Sequence, residues 1–109
     1  MEQPNTLVNG VLVLFTSKPG VTREQVMKVM PAEIRATVRL YLNGTIRQWF
    51  SRGDGKGVVL ILNSKDAAEA RAAIDGLPLS AENLMDHEFI PIGPLMFLGG
   101  LLDGAPQQK

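Results

Sequence analysis

From Leu7 to Phe15 the chain reads Leu-Val-Asn-Gly-Val-Leu-Val-Leu-Phe, and from Val11 onward apolar residues occupy both parities. That pattern is a β-strand, and a strand apolar on both sides expects cover on both sides. The period then changes. Met27, Met30, Ile34, Val38 and Tyr41 recur at helical spacing and predict the buried stripe of a first helix. Thr22 with Gln25 makes a capping box at its start, and Val21 with Val26 a hydrophobic staple. Asn43-Gly44 supplies the stop. Pro31 removes a donor and crowds the preceding turn, which predicts a kink or a break, with a second segment restarting there.

The β pattern returns in Thr45–Arg52 and Lys56–Asn63, joined around Gly53-Asp54-Gly55, a hairpin signal. A second helix follows, with Ser64 as its cap and Ala67, Ala70 and Ile74 facing inward. Gly76 ends it, Leu77 makes an apolar contact and Pro78 prevents continuation. Ser80 to Met85 reads as a loop, and Asp86 to Ile92 as the last strand. Leu95 to Leu102 is strongly apolar yet lies beyond the completed pattern, as an arm packing on a neighbouring subunit would. The polar end, Asp103 to Lys109, is expected to fray.

The order strand, helix, hairpin, helix, strand is a split βαβ unit. It defines an α+β, ferredoxin-like βαββαβ fold whose four-stranded antiparallel sheet carries both helices on one face. The 109 residues form one domain, core 7–95 with an arm from 95 to 109, and too little chain remains to cover the other sheet face. A second copy closing that face makes a homodimer, or a larger assembly built through the arm.

Charge and composition narrow the chemistry. Lys plus Arg equal Asp plus Glu at 11 each, so no basic excess exists to track phosphates and nucleic acid is not an expected partner. The chain has no cysteine and a single histidine, which argues against a zinc site and against thiol chemistry. No apolar run approaches the ~20 residues that span a bilayer. The polar start Met1-Glu2-Gln3-Pro4-Asn5 lacks a secretory pattern, so a cytoplasmic protein without membrane contact is expected. Gly53-Asp54-Gly55-Lys56-Gly57 lacks the spacing of a phosphate loop and reads as hairpin chemistry. Lys28, Arg35 and Arg39 form a solvated basic stripe on the first helix.

Glu33-Ile34-Arg35-Ala36-Thr37, Gly44 followed by Trp49, Gly76-Leu77-Pro78-Leu79 and Met85-Asp86 fall in an order that resembles the muconolactone isomerase family. The resemblance spans roughly 31–95 and implies a dimeric α+β barrel. It also implies isomerisation of a small unsaturated lactone by proton movement, without cofactor or metal. The family's His-x-Trp element on strand two reads Arg47-Gln48-Trp49 here.

Two residues are candidates for acid–base catalysis. Glu33 lies at the edge of the helical stripe, where half-burial raises a carboxyl pKa, although a solvated flank position fits the spacing too. His87 has the unperturbed pKa suited to proton transfer near neutrality, but an exposed strand-end histidine fits equally. Arg47 and Trp49 share a parity on strand two and together suit a planar anion, with a core indole and a snorkelling arginine as the simpler alternative. Tyr41 stands at the rim of the same substrate-binding region or in the core. The expected function is a cofactor-independent isomerase acting on a small lactone or aromatic-derived acid. A cofactor-free monooxygenase of the dimeric α+β barrel class and a non-catalytic small-molecule-binding or assembly module remain alternatives.

Overall fold

A computed structural model describes residues 8–95 of the chain. Their order is β1 (Gly10–Ser17), α1 (Arg23–Leu42), β2 (Ile46–Ser51), β3 (Val58–Leu62), α2 (Ala67–Asp75), α3 (Pro78–Ala81) and β4 (Met85–Ile92). The strands make one antiparallel sheet in the order β2-β3-β1-β4. This α+β architecture is compatible with the expected ferredoxin-like arrangement.

Residues opposite one another in an antiparallel pair share a face, so the register sorts the sheet into two sides. Val11 faces Leu62 and Val13 faces Leu60, while across β4 Phe15 faces His87. This side carries the core: Val11, Val13, Phe15, Leu60 and Leu62 pack with Ala70 and Ile74 of α2 and with Leu77 and Leu79 at α3. On the other side lie Leu12, Leu14, Val59 and Ile61, half-buried, with Phe50 and Ile90 exposed. No helix among the described residues packs on that side. The two-sided apolar pattern of β1 therefore has one side satisfied and one open.

Helix α1 begins as the sequence predicts. The Gln25 amide donates to Thr22 Oγ1 at 3.1 Å, and the Thr22 amide donates to Gln25 Oε1 at 2.7 Å. The predicted break at Pro31 does not occur, because α1 runs without interruption through it for 20 residues. An interior proline costs about 3 kcal/mol, and packing on either side of it, by Val26, Val29 and Met30 before and Ala36 and Leu40 after, offsets that cost. The buried stripe is also rotated from the expected one. Met27, Ile34, Val38 and Tyr41 are all exposed, and the inward positions are Val26, Met30, Glu33, Ala36 and Leu40. A carboxylate sits on the inner line, which the apolar residues alone could not reveal.

Three smaller corrections follow. Asp66, not Ser64, caps α2, its Oδ1 accepting from the Glu69 amide at 2.8 Å, while Ser64 is buried. Pro78 does not merely stop α2; it begins α3, where its fixed φ suits a first helical residue. Part of the stretch expected as loop from Ser80 is thus the end of that helix. The apolar arm lies outside the described residues apart from the exposed Leu95.

Candidate functional site

Helix α1 stands off from the outer half of the sheet and leaves a cavity of about 570 Å³ between itself, β2, β3 and α3. Its walls are apolar, with Met30, Ile34 and Val38 from α1 opposite Trp49, Val58 and Leu60 from the hairpin. Phe15, Leu79 and Met85 close the inner end, and Ser17, Thr37 and Ser51 bring hydroxyls. Glu33 is the only ionisable side chain in this wall among the described residues.

Glu33 is 8% exposed. The Leu79 amide donates to its Oε1 at 2.9 Å, and the Thr37 hydroxyl, which donates to the Glu33 carbonyl oxygen at 2.7 Å, stands 3.5 Å from its Oε2. Burial pushes the carboxyl above its ordinary pKa; the Leu79 amide and then the Thr37 hydroxyl pull the other way, and burial dominates. Leu79 lies in the first turn of α3, where amides lack partners within the helix. The sequence Gly76-Leu77-Pro78-Leu79 thus has a role beyond packing: it presents a backbone donor to a carboxylate on α1.

Trp49 lines the cavity, and Tyr41 stacks on it with ring centroids 4.1 Å apart and planes 8° from parallel. Tyr41 itself is outside the wall, so it buttresses the indole at the rim.

Arg47 is elsewhere. A register shift between Ile46 and Gln48 bulges β2, which breaks the parity that would pair Arg47 with Trp49. Its Nε donates to Asn63 Oδ1 at 2.7 Å and its Nη2 to the Asn9 carbonyl, at the opposite end of the strand from the cavity. The arginine–indole clamp predicted for an anion does not form.

His87 lies on the core side of the sheet but outside the cavity wall. Its ring meets Phe15 edge-on at 4.6 Å and its Nε2 lies 3.0 Å from Ser80 Oγ. Burial holds the imidazole below its ordinary value, opposed by Asp75 and Asp86 and reinforced by Arg71 and Lys18. Of the two acid–base candidates, Glu33 lines this cavity and His87 does not. Neighbouring Phe89 carries the Arg71 guanidinium 4.3 Å over its ring.

Sequence reasoning missed Thr37 and Leu79 as partners of Glu33. Thr37 was legible in principle, since a hydroxyl four residues after a carboxylate lies on the same helix face. The Leu79 amide was not, because its approach depends on how α3 docks.

No group of three or more His, Cys, Asp or Glu among the described residues is placed to hold a metal ion. No described helix is long and apolar enough to cross a membrane. No model of a known protein family matches the chain, and neither does any curated protein.

Proposed function

We propose that this protein is a cofactor-independent isomerase-like enzyme that moves a proton within a small unsaturated lactone or aromatic-derived acid. The observation that carries the reading is the Glu33 carboxyl, buried in the wall of an apolar cavity with its pKa raised. A raised pKa makes the ionised form a stronger base, and the ideal catalytic value lies near the working pH. The resemblance of 31–95 to the muconolactone isomerase family supports the same reaction class.

The step uses one group in both directions. Ionised Glu33 takes a proton from a carbon beside the substrate carbonyl, and the C–H electron pair passes into the conjugated system as a dienolate. Protonated Glu33 then returns the proton to the far carbon, and the double bond has moved. Hydroxyls of Thr37, Ser17 and Ser51 are the donors available to the enolate oxygen, and the Leu79 amide holds the carboxyl in place throughout.

The working unit in this reading is a homodimer of ferredoxin-like subunits. The uncovered sheet side, with Leu12, Leu14, Val59 and Ile61, is the surface a second copy covers.

Deuterium exchange tests the reaction. Unsaturated γ-lactones incubated with the protein in D₂O are expected to take up deuterium at the carbons flanking the double bond. Glu33→Gln should slow exchange by roughly 10²-fold or more. Exchange at an undiminished rate in Glu33→Gln would refute the assignment. Oxygen uptake in place of exchange would make the chain a cofactor-free oxygenase instead.

A further inference from the structure

The cavity wall is chemically one-sided. Around Glu33 stand hydrocarbon, one indole and a few hydroxyls, and the described wall contains no cation. The two arginines of the hairpin are engaged elsewhere. Arg52 donates to Thr16 Oγ1 at 2.6 Å and pairs with Asp54 at 2.6 Å, while Arg47 is held by Asn63 and Asn9. An anionic ligand entering this space would lose its hydration without gaining a counter-charge and would meet a carboxylate. An uncharged ligand meets none of these costs, and it buries its surface against Ile34, Val38, Trp49 and Leu60.

We infer that the α1–β2–β3 cavity selects an uncharged, largely apolar molecule carrying one hydrogen-bonding oxygen, and rejects its carboxylate-bearing analogue. The inference rests on the proton-transfer reading of the same site and narrows it. Of the two substrate classes, the neutral lactone fits and the aromatic-derived acid does not. Selection is set by the bulge in β2, because it carries Arg47 away from Trp49.

Trp49 is the sole tryptophan of the chain and lines the cavity, so its fluorescence reports occupancy directly. The probes are an unsaturated γ-lactone with a short alkyl chain and the same lactone with a carboxylate at the chain end, titrated at pH 7. The neutral lactone should saturate the signal with a Kd at least about tenfold lower than that of the carboxylate. Val38→Lys replaces apolar wall with a cation and should tighten the carboxylate by about fivefold or more relative to the neutral lactone. Equal or tighter binding of the carboxylate by the natural chain overturns the inference. So does an absence of any response to the neutral lactone, and so does a Val38→Lys variant that shows no gain. Binding and turnover separate the two claims. Selective binding of the neutral lactone without deuterium exchange removes the isomerase and keeps the selectivity; exchange confined to the carboxylate lactone does the reverse.

Discussion

The carboxylate of Glu33 and the amide of Leu79, 46 residues apart in sequence, meet at 2.9 Å beside the cavity. This one bond ties α1 to the first turn of α3 and fixes the direction of the only charged group in the described wall. It also decides how substitutions behave. Glu33→Ala leaves a buried amide without a partner, which costs about 1–3 kcal/mol. Glu33→Gln keeps a carbonyl oxygen for Leu79 and removes the charge, so its stability at neutral pH should equal or exceed that of the natural chain. Thermal unfolding of the three proteins side by side checks this order.

The same carboxyl gives stability a pH dependence. A raised folded pKa means that the folded state holds the proton more tightly than the unfolded chain does. The contribution is therefore full below the ordinary value of 4.5 and is lost as pH rises through the folded value. Glu33→Gln should thus gain on the natural chain as pH rises above 4.5. Parallel stability curves across that range would contradict the burial of the charge.

His87 works in the opposite sense. Its folded pKa is lowered, so its contribution is full above the ordinary 6.5 and is lost as pH falls toward the folded value. His87→Gln should flatten the acid side of the stability profile. Because His87 lies outside the cavity wall, the variant should bind the neutral lactone with unchanged affinity. Weakened binding in a folded variant would show that the imidazole reaches the site.

Tyr41 and Trp49 supply a measurable pair. Stacked aromatic rings contribute about 0.5–1.5 kcal/mol beyond area burial. A double-mutant cycle of Tyr41→Ala and Trp49→Leu should give a coupling energy in that range, whereas Tyr41→Phe keeps the ring and should be nearly neutral. A coupling near zero would mean that the two rings do not support one another at the rim.

Much of the fold was legible because each element announced itself locally. The capping box at Thr22, the Asp-Gly hairpin and the continuous apolar run of β1 depend on neighbours a few residues away. The failures share one cause, which is docking. Met27, Ile34, Val38 and Tyr41 have the right spacing for a core stripe, but α1 turns a different line inward and leaves all four exposed, Ile34 and Val38 of them in the cavity wall. Arg47 and Trp49 have the right parity for a shared side, but a bulge separates them. Glu33 was visible as an edge residue of the stripe, whereas its burial and its Leu79 partner arise only when α1 meets α3.

The open sheet side bears on assembly. Ile61→Lys places a charge among Leu12, Leu14 and Val59 without touching the cavity wall. If a second copy covers this side, the natural chain should sediment as a dimer at micromolar concentration and Ile61→Lys as a folded monomer. A natural chain of monomer mass would remove the homodimer from the proposal.

The proton affinity of Glu33 is the most direct test of its place at the centre of this site. With carboxyl-labelled glutamate, the ¹³C resonance that disappears in Glu33→Gln can be followed from pH 3 to pH 9. A midpoint above the ordinary 4.5 is expected, moving higher when the neutral lactone fills the cavity and excludes water. A midpoint at or below 4.5, unmoved by the lactone, would show a solvated carboxylate and leave the cavity without its base.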